Sequence, residues 1–247
     1  MPTAFEPCAV IPVYNHSETI GAVVNGLQSC GLHCILVDDG SGAACALVLD
    51  HLVAQTSKAT LVRLPANRGK GAAVAAGLRA ARAAGYSHAL QIDADGQHTI
   101  EDVPAFLAAA QQQPDVVICG LPVFDATIPR SRLYGRGFSL LWARINTLST
   151  DIRDAMCGFR IYPVGLTDDL IAAESVGARM DFDTEILVRL HWRGVPMRWL
   201  DTRVVYPVGG VSHFRLWRDN ILISCMHARL FFGMLFRLPL LLSRKWA

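Results

Sequence analysis

Short apolar runs separated by polar, glycine-containing loops set the rhythm of the first 120 residues. Cys8 to Val13, His33 to Val37, Thr60 to Leu64, His88 to Ile92 and Asp115 to Cys119 read as strands, the run His88 to Ile92 as a buried one. Between them fall helical stretches. One starts near Ser17, where Ser17-Glu18-Thr19-Ile20 gives a polar opening. An Ala-rich one follows Asn67-Arg68-Gly69-Lys70-Gly71 and runs to about Ala84. Another spans Ile100 to about Gln111, with Glu101 and Asp102 in its first turn. This alternation predicts an α/β fold with a mostly parallel, doubly wound sheet flanked by helices. Further on, Phe182 opens a helix running to Trp192. From Asn220 to Leu242 the chain is almost continuously apolar, broken by His227, Arg229 and Arg237. A bilayer crossing needs about 20 uninterrupted apolar residues. The internal arginines instead predict an amphipathic helix lying in a membrane interface, anchored by Phe231, Phe232, Phe236 and Trp246, with Arg244 and Lys245 at the anionic surface. A core or dimer helix is the alternative.

Composition narrows the class. With 247 residues, 52% hydrophobic and 18% charged, the chain can bury one large core or two small ones. The expected division is a catalytic unit over 1–219, made of a nucleotide half (1–120) and an acceptor half (121–219), followed by the interfacial helix at 220–247. A net charge of +2 gives no reason to expect nucleic acid. The seven cysteines (8, 30, 34, 45, 119, 157, 225) are odd in number and mostly inside apolar runs. They fit reduced core residues of a cytoplasmic protein, and the Cys30–Cys34 spacing lacks a second pair for zinc. Met1 to Pro7 does not resemble a signal peptide.

The candidate chemistry clusters at strand ends. In Gln91-Ile92-Asp93-Ala94-Asp95-Gly96-Gln97-His98, two carboxylates leave the end of the fourth strand, and Gly96 permits the turn behind them. Carboxylates outside the carboxyl end of a strand can hold a hard divalent cation, which in turn holds phosphate oxygens; an Asx turn capping a helix is the plainer alternative. Asp38 and Asp39, at the end of the second strand, can accept hydrogen bonds from a nucleobase or ribose, or simply cap a helix. Asn67-Arg68-Gly69-Lys70-Gly71 puts glycines and two cations at a helix start, where backbone N–H groups favour an anion. It lacks the spacing of a P-loop. Together these point to a bound nucleotide diphosphate.

Val10-Ile11-Pro12-Val13-Tyr14-Asn15, Val37-Asp38-Asp39-Gly40-Ser41, Asn67-Arg68-Gly69-Lys70-Gly71 and Asp93-Ala94-Asp95-Gly96-Gln97-His98 resemble, in order and spacing, the signatures of family-2 glycosyltransferases, nearest the dolichyl- or polyprenyl-phosphate mannosyltransferase branch. The resemblance covers roughly residues 8 to 215, more weakly after 120. Phe124-Asp125 and the block Met156 to Pro163 are also similar to transferases of bacterial aryl-polyene pigment pathways. The resemblance implies the nucleotide-diphospho-sugar transferase (GT-A) fold and an inverting transfer from a nucleotide sugar to an apolar or lipid-linked acceptor. By position, Pro12, Tyr14, Asp38, Asp39, Lys70 and Asp93 would bind the nucleotide sugar, and Asp93, Asp95 and Gln97 would bind Mg²⁺ or Mn²⁺.

The second half departs from the branch. His16 stands where glutamate is common, and Gly120-Leu121-Pro122 where Gly-Ser-Arg is common. Ile128 to Arg136 falls where the branch keeps a mobile acceptor loop, and its arginines, Arg132 among them, could cover the diphosphate or an anionic acceptor. Asp151 to Arg160 resembles the family's Asp-x-x-Cys-Gly-Phe-Arg block on the acceptor side. Asp183 falls at the position of a catalytic base, with Asp154 as second choice; an N-cap is the alternative reading of Asp183. Val211-Ser212-His213-Phe214 resembles a further signature, with His213 near metal or diphosphate. A hydroxyl acceptor needs the base, whereas a phosphate acceptor, as in a polyprenyl-phosphate sugar synthase, does not. The resulting expectation is a cytoplasmic enzyme, peripheral on the inner face of the membrane. A nucleotidyltransferase and a non-catalytic nucleotide-binding membrane adaptor are the competing classes.

Overall fold

The computed structural model describes residues 4–124, 130–204 and 216–244. Seven strands form one mixed sheet: β1 (Pro7–Val13), β2 (His33–Asp38), β3 (Ala59–Arg63), β4 (His88–Gln91), β5 (Val117–Phe124), β6 (Arg160–Pro163) and β7 (Met197–Val204), in the order β3-β2-β1-β4-β6-β5-β7. The eight described helices are α1 (Ile20–Ser29), α2 (Ala43–Ala54), α3 (Lys70–Ala83), α4 (Val103–Gln112), α5 (Arg130–Thr147), α6 (Val164–Ala173), α7 (Phe182–Trp192) and α8 (Leu216–Ser243). All pairings are parallel except those of β6, which runs antiparallel to β4 and β5. The second half therefore completes the sheet begun by the first. β5 crosses residue 120, so the two halves are not separate bodies.

Side chains of a strand alternate between faces, and both faces of this sheet are covered. Cys8 and Val10 of β1 join a core built with α3, α5, α6, α7 and α8. Ala9, Ile11 and Val13 join the opposite core with α1, α2 and α4. α3 lies closest to the sheet: a Cβ on Gly77 would stand 2.3 Å from Val10 Cγ1.

The crossover through α3 carries the chain from β3 past β2 and β1 to β4, so strand order reverses between β1 and β4. In open α/β sheets the ligand crevice opens at such a switch point. Here the two strands part early. β1 pairs with β2 as far as Val13 opposite Asp38, but with β4 only from Pro7 to Val10. Pro12 has no N–H to give, and it sits beyond the end of the β4 ladder where none is needed. Past this point Tyr14 and Asn15 leave one strand and Asp93 and Asp95 the other.

The expected acceptor loop is helical where it is described. α5 begins at Arg130, so Leu133 to Arg136 form its early turns. α8 begins at Leu216, ahead of the expected Asn220.

Candidate active site at the carboxyl ends of the strands

Behind β4 the chain turns at Gly96 (φ +72°), and the Gln97 N–H donates to Asp95 Oδ1 at 3.0 Å. The Asx turn considered for this stretch is thus present, and it fixes the direction of the Asp95 carboxylate. Burial pushes the Asp95 carboxyl above its ordinary value, and the Asp93 charge adds to the push. His98 stands with Nε2 3.9 Å from Asp93 Oδ2 and its ring stacked on Phe159, centroids 5.2 Å apart. Burial holds its pKa down against the pull of Asp93 and Asp95. Among the described residues, no three His, Cys, Asp or Glu side chains make a ready-formed metal centre.

Lys70 is the cation of the site. Its ammonium lies 2.7 Å from Asp93 Oδ1 and 2.9 Å from Asp183 Oδ2, bridging two carboxylates 90 positions apart in sequence. Burial alone would lower the lysine pKa, but Asp183 and Asp93 hold it above the ordinary value. For Asp183, burial raises the pKa, and Lys70 and Arg160 more than reverse this, leaving it below the usual carboxylate range. Gln91 Nε2 donates to Asp183 Oδ1 at 2.8 Å. Asp183 lies in the first turn of α7, whose N-cap position belongs to Asp181, so it is not the cap.

The Cys157-Gly158-Phe159-Arg160 block makes the floor beneath these groups. A Cβ on Gly158 would meet Lys70 Nζ at 2.6 Å and Asp93 Oδ2 at 3.2 Å, so any larger residue would have to displace the lysine end of the ion pair. Phe159 stacks under His98 and packs on Phe106. Arg160 is fully buried and donates to the backbone carbonyls of Asp183 (2.6 Å) and Ala155 (3.2 Å), which locks the start of α7.

On the other flank, the glycine and cation loop is held from below. Asp39 accepts from the N–H groups of Arg68 (2.7 Å) and Gly69 (2.8 Å), and the Ala72 N–H donates to Ala178 O. Three of the donors that the sequence offers to an anion near the start of α3 are thus occupied within the chain. Asp38 is likewise engaged, by Arg63 Nε at 2.9 Å and by the Ser41 N–H at 2.8 Å. Asn15 adopts φ 58°, and its side chain accepts from the Gly42 N–H at 2.8 Å, tying the β1 and β2 ends together. Pro12 and Tyr14 are half-buried at the mouth of the crevice.

On the acceptor side, Arg136 of α5 grips Asp154 through three hydrogen bonds of 2.8 to 3.1 Å, and the N–H groups of Met156 and Cys157 donate to the same carboxylate. Arg136 also lies over the Phe124 ring, 4.9 Å from its centroid. The side chain of Arg132, and Asp125, His213 and Trp246 altogether, lie outside the described residues. Asp93, Asp95, Lys70 and Asp183 come together as one cluster, while Asp154 stands with Arg136. Gln91 and Arg179, the last donating to Asn67 Oδ1 at 3.2 Å, are additions to which the linear motifs give no role, whereas Arg160 closes the Asp151 to Arg160 block that the resemblance picks out. A polar amide inside an apolar strand is the signal that could have flagged Gln91.

A mixed sheet with an acidic strand end at its switch point, a lysine beside it and a second half closing the crevice defines a nucleotide-sugar transferase fold of the GT-A type. The glycosyl transferase family 2 model matches residues 8–170, and the chain belongs to that family. Polyprenol monophosphomannose synthase of Mycolicibacterium smegmatis is 29% identical over 194 residues, covering 75% of this chain and 71% of that protein. Undecaprenyl-phosphate mannosyltransferase of Micrococcus luteus is 28% identical over 181 residues, covering 70% and 74%. Among solved structures, glucosyl-3-phosphoglycerate synthase of Mycobacterium tuberculosis superposes with a TM-score of 0.66 at 16% identity, over 95% of this chain and 80% of that one.

Proposed function

We propose that this glycosyltransferase moves a sugar from a nucleotide-diphosphate donor to the phosphate of a polyprenyl-type lipid, with inversion at the anomeric carbon. The observation that carries this reading is that both carboxylates placed to act as a base are already neutralised: Asp183 by Lys70 and Asp154 by Arg136. A hydroxyl acceptor must lose its proton as the bond forms, and an ion-paired carboxylate with a depressed pKa is a poor receiver. A phosphate oxygen is anionic already and needs none. The names of the relatives from Mycolicibacterium smegmatis and Micrococcus luteus support the same acceptor class.

In the transfer, a lipid phosphate oxygen forms a bond to the anomeric carbon as the bond from that carbon to the diphosphate oxygen breaks. The electron pair leaves with the nucleoside diphosphate, and attack from the opposite face inverts the centre. Lys70 offers its ammonium to the departing charge. Asp93, Asp95 and the Gln97 amide offer hard oxygen donors that would suit Mg²⁺ or Mn²⁺, and Asp95, beside Asp93, is held by the Gln97 N–H and makes no ion pair among the described residues. A divalent ion there would neutralise the diphosphate and stabilise the leaving group. Tyr14 and Pro12 wall the nucleoside side, and Asp38 and Asp39 shape that pocket through the loops they hold.

The surface fits an acceptor in a membrane. One helix segment, Trp217–Ser243, is long and apolar enough to cross a bilayer. Its inner face is docked: Met226, His227, Leu230 and Met234 are buried, Arg237 lies over the Trp192 ring and Arg244 donates to the His191 and Trp192 carbonyls. The outer face exposes Trp217, Ile221, Phe232, Leu235, Phe236 and Leu240, and α5 adds Tyr134, Phe138 and Leu141. A helix with one face on protein and one apolar face outward is suited to lie on lipid, which supports a peripheral enzyme.

The test is acceptor chemistry. Purified enzyme given labelled nucleotide sugars and undecaprenyl phosphate should form a lipid product cleaved by mild acid, as a glycosyl phosphate is. Asp183→Asn should lower its rate by much less than the roughly 10²- to 10⁴-fold of a lost general base. An acid-stable glycoside whose formation collapses in Asp183→Asn would return the hydroxyl acceptor to first place.

A further inference from the structure

α7 begins in the site and passes behind it. Asp183 points to Lys70, while Glu185, two residues on and so on another side of the helix, faces away. Glu185 is fully buried, and its carboxylate is shared by three donors: Arg189 of the same helix at 2.7 Å, Arg229 of α8 at 2.6 Å, and the Gly177 N–H at 2.8 Å. Gly177 opens the segment that carries Ala178 and Arg179. Ala178 O accepts from the Ala72 N–H at 2.9 Å, and Arg179 donates to the Asn67 side chain and carbonyl. Packing there is tight: a Cβ on Gly71 would lie 2.6 Å from Gly177 O, and one on Gly69 2.6 Å from Ala178 O. An unbroken series of polar contacts therefore runs from the outermost helix to the loop bearing Lys70.

We propose that Arg229 is a positioning residue for the donor site. By holding Glu185 it sets the place of the segment from Gly177 to Asp183, and through it the Asn67 to Ala72 loop. The seating of α8 on lipid is thereby coupled to the order of the nucleotide-sugar site. The lipid half of this inference rests on the reading of α8 given above. The contact itself does not, because a buried carboxylate that loses one of its cations must re-form its bonds whatever lies outside α8. A continuous series of contacts is not yet a coupling, and coupling is what the experiment measures.

The experiment is hydrogen exchange followed by mass spectrometry on the full chain, with no substrate present. Arg229→Ala should speed exchange in 67–72 and in 177–185 by about 2- to 30-fold, the range spanned by measured long-range couplings. Arg229→Lys should recover most of the protection, because the contact to Glu185 is through one nitrogen. Arg244→Ala loosens the far end of the same helix and should leave 67–72 unchanged. In an Arg179→Ala background the effect of Arg229→Ala should reach 177–185 but no longer 67–72. Vesicles of anionic phospholipid should slow exchange at 67–72 in the wild type and not in Arg229→Ala. Exchange changes confined to α8, an equal effect from Arg244→Ala, or vesicles acting alike on both proteins or on neither would overturn the proposal. Should Arg229→Ala not fold, Arg229→Gln, which keeps a donor without the charge, is read by the same criteria. A wrong acceptor assignment leaves every one of these readings unaltered, and a null exchange result leaves the acceptor assignment standing.

Discussion

Lys70 holds two carboxylates that the linear sequence keeps far apart, and the residues around it divide into those that need a cation and those that have one. Asp93 and Asp183 share Lys70, while Asp95 makes no ion pair of its own among the described residues. Asp95→Ala should therefore leave the metal-free protein at least as stable as the wild type, because it removes a desolvated carboxyl crowded by Asp93. The same change should abolish the Mn²⁺-dependent stabilisation by UDP or GDP, which for wild type reaches about 3 kcal/mol at a hundredfold excess over Kd. Thermal shift with and without chelator checks both; identical wild-type shifts in the two conditions would remove the metal assignment. A second residue-scale consequence concerns His227, buried between α8 and α5 against Trp142 and Phe138, with neither ring nitrogen bonded among the described residues. Burial lowers its pKa to about 4. Since the folded value lies below the unfolded one, the unfolded chain takes up the proton first. Stability is then unaffected above about pH 6.5 and falls between that value and 4, by at most about 1.4 kcal/mol per pH unit. His227→Phe should flatten that part of the pH profile relative to wild type in urea titrations. The remaining acid sensitivity is common to both proteins and cancels in the comparison.

Elements were legible where one physical pattern determined them. β1, β2 and β4 are buried on both faces or nearly so, and such strands read as apolar runs whatever lies around them, while β3 is a part-buried edge strand that its Thr60 to Leu64 run still marks. β6 was not legible: it has four residues, begins with Arg160 and depends on β4 and β5 for its place. The first turns of α5 fall in Ile128 to Arg136, which the resemblance assigns to a mobile loop; Gly135 and Gly137 weaken the helix propensity there, and packing of α5 on α7 and α8 overrides it. α2 also went unread. Of the site, Asp93, Asp95, Lys70 and Asp183 could be named from motifs, but their assembly could not, since the Lys70 bridge and the Gly158 gap exist only across the closed sheet. Gly77 makes a test at this scale. Its added Cβ would collide with Val10, so Gly77→Ala should separate α3 from β1 and cost about 1–3 kcal/mol. Chemical denaturation with an unchanged midpoint would show that the helix can shift freely.

At the scale of the whole molecule, the apolar face shared by α5 and α8 is the surface on which the proposed function has the enzyme meet a lipid acceptor. Phe231, expected as an anchor, turns inward to Trp142, whereas Phe232 and Phe236 are 62% and 87% exposed. Phe232→Ser with Phe236→Ser should weaken vesicle binding by about 10²-fold or more, given about 1.5–3 kcal/mol per large side chain buried in lipid, with little change in melting temperature. Flotation with liposomes measures it, and undiminished flotation of the folded double variant would rule out this face as the docking surface. The antiparallel insertion of β6 has a different consequence, for synthesis. As the chain leaves the ribosome, β3, β2, β1 and β4 can already form a sheet, but the free edge of β4 must wait for Arg160–Pro163 to cover it. Throughout the translation of α4, β5 and α5 the nascent protein carries an open strand edge beside its own active-site carboxylates. That interval is when a chaperone has something to hold and when a stalled chain is most prone to aggregate.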